Sequence, residues 1–258
     1  GASGVTSLTL NPGSAVTNSY SGVIANLGSG AMALNMTGAG KQILTGANTY
    51  TGATTVSTGT LLVSNASGSG LGASNVTVNG GTLGGSGSFT GTVTVNSGGT
   101  LSPGSSIESL GSGSITFTGG TFAFEINTST TTADLLFASG ANVALTITSG
   151  VPTLTITDLG SNAALADGTK FTLISYNAAG GWNNGIFSGY ANNSEFTLGA
   201  NKWKINYADL SAGSNFQSDA VLFGDRFVTI TVVPEPSTWA LLAFSLTTVM
   251  VLRRRRKS

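Results

Sequence analysis

The side chains with the most obvious capacity for acid–base chemistry are the carboxylates Glu125, Asp134, Asp158, Asp167, Glu195, Asp209, Asp219 and Asp225. Paired carboxylates on a β scaffold can cleave glycosidic bonds, one protonating the leaving oxygen while the other supplies negative charge. The spacing here gives that chemistry little support. No Asp-x-Asp cluster, Asp-x-Asn-x-Asp-Gly loop or Gly-Gly-x-Gly-x-Asp calcium repeat occurs. Asp134 in "DL" and Asp167 in "DG" fit ordinary turns. The 258 residues include no cysteine and no histidine, which removes disulfides, thiol nucleophiles, Ser-His-Asp triads and ordinary zinc sites together. Glycine-rich stretches such as "GSGSF" (85–89) lack a following helix or lysine, so a phosphate loop is not supported. No catalytic residue, metal site or cofactor is expected. A polysaccharide-cleaving β-helix is the enzymatic alternative.

Two other groups of residues invite a role. Trp182, Phe187, Tyr190, Phe196, Trp203 and Tyr207 gather the aromatics of the second half. Exposed rings stack on sugar faces, so Trp182, Tyr190 and Trp203 form a candidate carbohydrate platform. The competing reading places Phe196, Trp203, Ile205 and Tyr207 at strand alternation, filling a core. At the C-terminus, Val233, Pro234, Glu235, Pro236 and Ser237 precede an apolar run closed by Arg253, Arg254, Arg255, Arg256 and Lys257.

That apolar run is marginal as a membrane span. Trp239 to Leu252 is 14 residues without a charge, about 21 Å as a helix, against a hydrocarbon core of roughly 30 Å. Counting from Pro234 gives 19 residues, about 28 Å, and Arg253 can snorkel at its end. Pro236 suits a first helical turn, with Glu235 and the arginines complementing the helix dipole. Basic residues stay cytoplasmic, so the body is expected on the far side of the inner membrane.

The body that would carry these groups is nearly uncharged. Charged residues make up 8% of the chain and glycine supplies 38 residues, while apolar residues reach 40%, too many for simple disorder. Removing the five terminal cations leaves five basic residues against ten acidic ones. Residues 1–124 contain only Lys41 and Glu108 as charges. Such a surface has no field to hold nucleic acid.

Four phrases recur: "TVSTGTL" (55–61), "TVNGGTL" (77–83), "TVNSGGTL" (94–101) and "ITFTGGTF" (115–122). Aligned on Gly59, Gly81, Gly99 and Gly120, they step by 22, 18 and 21 residues, a solenoid period. Val76 and Val78 flank Thr77, Val93 and Val95 flank Thr94, and Phe122, Phe124 and Ile126 continue the alternation. This predicts strands with apolar residues inward and threonine outward, and glycines at positive φ in the bends. The expected fold is all-β: a right-handed parallel β-helix, an aromatic-rich β cap and a single C-terminal transmembrane helix. An antiparallel sandwich is the competing arrangement. Expected boundaries are 1–126 for the repeat region and 127–231 for terminal coils and cap. The tail takes 232–258, with its motif at 233–237, span at 238–252 and basic end at 253–257.

The segment 38–83, with "LTGANTYTG" at 44–52, resembles the autotransporter-associated β-strand repeat over roughly residues 20–126. The resemblance implies a secreted or surface-displayed β-helical stalk with no catalytic residue. In that phrase, Leu44 and Tyr50 are expected to plug the interior, Gly46 and Gly52 to take bends, and Asn48 to bond a turn or a neighbouring Asn. The last 26 residues resemble the PEP-CTERM sorting signal. This implies recognition and cleavage by an exosortase-type membrane protease, with the inner membrane as a transient or retained partner. The combined expectation is an exported, non-enzymatic structural or adhesive protein, with exopolysaccharide as a further partner. A carbohydrate-binding surface module is the alternative.

Overall fold

The computed structural model describes residues 6–138, 142–177, 179–216 and 225–234, and these contain strands and turns but no α-helix. Successive strands come in pairs, one pair to a coil. The first three coils are β1 (Ser7–Leu10) with β2 (Thr17–Tyr20), β3 (Ala33–Met36) with β4 (Lys41–Leu44), and β5 (Thr54–Val56) with β6 (Thr60–Val63). The next two are β7 (Val76–Val78) with β8 (Thr82–Gly85), and β9 (Val93–Val95) with β10 (Thr100–Pro103). After β11 (Ser109–Ser112) come β12 (Ile115–Phe117) with β13 (Thr121–Asn127). After β14 (Thr132–Ala133) and β15 (Leu135–Ala138), β16 (Leu145–Ile147) and β17 (Thr153–Asp158) make the last coil.

The first strand of every coil stacks on its predecessor in a seven-stranded sheet, β1-β3-β5-β7-β9-β12-β16, and all its pairings are parallel. Seven strands at about 4.8 Å give this face a length of about 29 Å. The second strands stack likewise from β2 to β17. The result is a parallel β-solenoid of the right-handed type, with the hand that parallel crossovers almost always take. The antiparallel sandwich is excluded by these registers.

Alternation sets which side chains enter. Val76, Val78, Val93, Val95, Ile115 and Phe117 are fully buried, while Thr55, Thr77, Thr94, Thr116 and Thr146 lie in one outward column. A column on the second sheet aligns Thr60, Thr82, Thr100, Thr121 and Thr153.

The repeating glycines serve close approach as much as bending. Gly59, Gly98 and Gly120 have positive φ, as the sequence predicts, whereas Gly80 and Gly81 of the "NGG" bend do not. Gly46 and Gly52 take bends, as expected, without positive φ; a Cβ at Gly46 would collide with the carbonyl oxygen of Gly22, one coil below. A side chain there would prevent the coils from stacking.

A third face grows along the axis. In early coils it is irregular backbone, with Asn48 N–H donating to Ser69 O and Gly70 N–H to Ser88 O. Ser88 then bridges Gly111 in parallel, and β11 and β15 pair as regular strands. β18 (Lys170–Asn177) adds in parallel to β15, and there the direction reverses. β21 (Asp225–Val232), β20 (Asn201–Asp209) and β19 (Glu195–Leu198) follow in antiparallel order. This antiparallel sheet is the aromatic-rich cap, and it continues the solenoid wall.

The two ends of the solenoid differ. At the C-terminal end the segment around Trp182 crosses the edge of β16, where Leu145 N–H donates to Gly181 O at 3.0 Å. Phe187 from this segment is fully buried and packs on Phe117 and Phe122, at ring separations of 5.2 and 6.0 Å. It closes the interior. At the N-terminal end all four residues of β2 are exposed. A cavity of about 550 Å³ opens there, lined by Leu8, Leu10, Tyr20, Val23, Ile24 and Leu44 among others.

Candidate functional site

The phrase "LTGANTYTG" occupies the corner between the second and third faces, and its polar groups tie coils together. Asn48 Oδ1 accepts the N–H of Ile24 at 2.8 Å, and its Nδ2 donates to Gly70 O at 2.6 Å. One buried amide thus joins the coil below to the coil above. Asn65 makes half of that link: its Oδ1 accepts Ser88 N–H of the next coil at 3.0 Å, while its Nδ2 donates to Ser67 O and Gly68 O of its own turn. Leu44 and Tyr50 are fully buried, as interior plugs. The Tyr50 hydroxyl bonds Thr54 Oγ1 at 2.5 Å, and burial pushes its pKa to about 12. The chemistry of the phrase is inter-coil fastening.

The carboxylates are also committed to structure. Asp134 is fully buried. Its two oxygens accept the N–H groups of Glu108 at 3.1 Å and Glu125 at 2.9 Å. Burial raises its pKa to about 7, against the pull of those two N–H donors, with the Glu125 and Glu108 charges adding to the rise. The turn role expected of Asp134 is therefore incomplete, because it pins two separate coils from inside. Asp158 accepts from Thr128 Oγ1 at 2.6 Å and from the N–H groups of Thr128 and Gly160. Burial alone would raise its pKa, but these donors hold it below the usual value. Asp209 likewise sits low, because the Lys170 ammonium at 2.7 Å and its hydroxyl and N–H donors outweigh its burial. Among the described residues no three of His, Cys, Asp and Glu are grouped to hold a metal ion.

The three rings of the candidate carbohydrate platform do not share a surface. Trp203 is fully buried against Phe171, at a ring separation of 5.8 Å, and has no face to offer a sugar. Its period-two neighbours Ile205 and Tyr207 are buried with it, as the core-filling reading expects. Trp182 is half-buried and lies flat on Tyr207, 5.3 Å away with planes 8° apart. Its indole N–H donates to Gly185 O at 2.8 Å. Tyr190 is half-buried, edge-on to Phe196 at 5.0 Å. Tyr207, buried beneath them, donates its hydroxyl to Tyr190 O and accepts the Phe187 N–H. These rings pack the cap and hold the plug.

Sequence alone did not foretell the plug position of Phe187 or the inward carboxylate of Asp134. A signal for Phe187 existed in "NGIFSGY", where the apolar pair Ile186-Phe187 is set among turn formers.

Of the tail motif, the described residues include Val233 and Pro234. Val233 N–H donates to Lys202 O at 2.9 Å, extending the cap ladder by one bond, and Pro234 is exposed. Glu235, Pro236, Ser237, the expected span at 238–252 and the cluster Arg253 to Lys257 lie outside the described residues. Among the described residues no helix is long and apolar enough to cross a membrane.

Residues 34–63 match the family model of the passenger-associated-transport-repeat. The match covers β3 to β6, two coils that include the whole "LTGANTYTG" phrase. The chain thus carries an autotransporter-related repeat inside a parallel solenoid. No curated protein matches the chain.

Proposed function

We propose that this protein is an exported, non-enzymatic structural or adhesive stalk of a bacterial surface or extracellular matrix. Its C-terminal residues act as a PEP-CTERM sorting tail read by an exosortase-type membrane protease. The observation that carries the reading is the passenger-type repeat at 34–63, seated in an uninterrupted parallel solenoid. Repeats of this kind build length and surface, and their polar groups fasten coil to coil.

The tail supports delivery by its layout. "VPEPS", an apolar stretch and a basic cluster follow in order from Val233 to Lys257. The cap ends at Val233, so the motif begins where the last ladder bond ends. A short apolar run suffices for a helix that holds the chain only until cleavage.

Cell fractionation with intact-mass measurement of the mature chain tests this proposal. The expected product ends near the Pro-Glu-Pro motif and is found at the surface or in the medium. A full-length form that stays in the inner membrane in exosortase-bearing cells overturns the sorting reading.

A further inference from the structure

The outward side of the seven-stranded sheet is chemically uniform. Over the five coils from β5 to β16, Thr55, Thr77, Thr94, Thr116 and Thr146 stand in one column, in register from strand to strand. Two residues further along each coil the ladder continues. The backbone N–H groups of Ser57, Asn79, Asn96, Thr118 and Thr148 each donate to the coil below. With the flanking column on the other side included, every outward position of these coils holds Ala, Ser, Thr or Asn. The stretches 53–57, 75–79, 92–96, 114–118 and 144–148 contain no charged residue. The second sheet is unlike this, for its outward side mixes Lys41, Ile43, Leu62, Ser102 and Glu125 with its threonines.

The columns form a lattice. Rungs repeat at about 4.8 Å, and neighbouring columns stand about 6.6 Å apart, two strand residues along. Among the described residues the hydroxyls of the threonine column take no partner from the chain. Each is left with a donor and acceptors to place. In the next column Asn96 Nδ2 donates to Asn79 Oδ1 at 2.7 Å, and Thr118 Oγ1 to Asn96 Oδ1 at 2.6 Å. Three consecutive coils thereby fix their side chains relative to one another. Side-chain ladders of this kind also hold many-stranded sheets flat.

We propose that this face binds ice. Both repeats lie near the oxygen spacings of hexagonal ice surfaces, so water held by one rung is in step with water held by the next. Threonine suits the task, because its hydroxyl joins the water network while β-branching fixes where hydroxyl and methyl point. Other occupants fit the face less well. A glycan platform presents exposed rings, and a protein-binding surface presents aromatic or arginine anchors; the outward positions here hold neither. A charged side chain would keep its own hydration shell against the lattice, and this face has none. Ice binding goes beyond the structural role of a stalk and needs no sorting tail.

Slow growth of ice from a solution of the purified, fluorescently labelled full chain is the test. The native chain is expected to enter the growing crystal, to inhibit its recrystallisation and to open a gap between melting and freezing temperatures. Thr94→Tyr, at the centre of the array, raises a ring above the lattice and is expected to abolish all three, with the protein's own thermal unfolding unchanged. Thr100→Tyr, on β10 of the same coil but on the second sheet, is expected to leave all three intact. Where Thr94→Tyr does not fold, Thr116→Lys breaks the same array with a charge and is expected to give the same loss. A native chain excluded from ice overturns the proposal. So does ice activity that survives both array variants, or that Thr100→Tyr removes equally. Retention on microcrystalline cellulose without entry into ice overturns it in favour of a glycan surface. Self-association lost in Thr94→Tyr, again without entry into ice, overturns it in favour of a second copy.

Discussion

The repeat coils and the cap bury similar side chains by different logic. In the coils, a residue's partners lie one coil away. Thr77 pairs with Thr55 and Thr94, and Asn48 reaches 24 residues back and 22 forward. In the cap, partners are scattered. Asn215 donates to Asp134 O across 81 residues and also clasps Thr172, while Asn201 holds Leu165 and Ala163. β18 is buried along its length from Phe171 to Tyr176 on both faces, unlike the one-sided strands of the coils. Stability in the coils is a sum of near-identical interfaces. In the cap it rests on a few contacts that must form together.

Four substitutions or conditions break or sharpen that contrast. The largest effect is expected at Val78→Asp, which puts an unpaired charge in a dry interior and should cost about 4 kcal/mol or more in denaturant unfolding. Thr77→Asp, one position away and facing out, should cost less than about 1 kcal/mol. Equal tolerance at the two positions would break the inward–outward register.

Phe187→Ala removes the plug from a site where Phe117, Phe122 and Tyr207 meet, with an expected loss of about 3–4 kcal/mol. Hydrogen exchange should show the loss concentrated in β16, β17 and the cap, while the coils from β3 to β8 keep their protection. Uniform deprotection would mean that coils and cap are one cooperative unit.

The pH dependence comes next. Asp134 has a pKa near 7 in the folded chain against an ordinary 3.8. The folded state therefore binds more protons than the unfolded state between those values, and stability falls as pH rises through that window. The decline is expected to be about 3–4 kcal/mol at pH 8 relative to pH 4. In Asp134→Asn this slope should vanish, even though the amide itself weakens the junction. A slope that persists in the variant would show that Asp134 is not its source.

The smallest effect is at Asn48→Ala. It leaves Ile24 N–H and Gly70 O without their partner, an expected cost of about 2 kcal/mol. Asn65→Ala frees one inter-coil donor, Ser88 N–H, and two carbonyls of its own turn, and should cost about 1–2 kcal/mol.

What was legible in the chain follows the same division. The alternation around Thr77, Thr94 and Thr116 states its own register, because an inward residue and its stacked neighbour are both branched or aromatic. The repeated phrases gave the coil and its parallel stacking. The third face was hidden, since its early rungs at Asn48, Ser69 and Ser88 have no strand pattern. The antiparallel return of β21 between β18 and β20 was hidden too. Its final strand was visible as "DRFVTITVV", but nothing local names partners more than 20 residues distant. Trp203 looked like either a sugar platform or a core filler, and only the packing of Phe171 against it separates the two. Asp134 looked like a turn residue because one of its donors, Glu108, lies 26 residues back in the preceding coil.

The plug at Phe187 has a consequence for the order of events on a growing chain. Synthesis delivers residues from the N-terminus, so Asn48 and Tyr50 exist long before Phe187 does. Each coil can settle on the one before it as soon as it is made, and its newest edge waits open for the next. The waiting ends at a single aromatic ring, about three quarters of the way along the chain. Until then the growing end is a template, and after it the polymerisation is terminated. Phe187 is a stop codon written in shape.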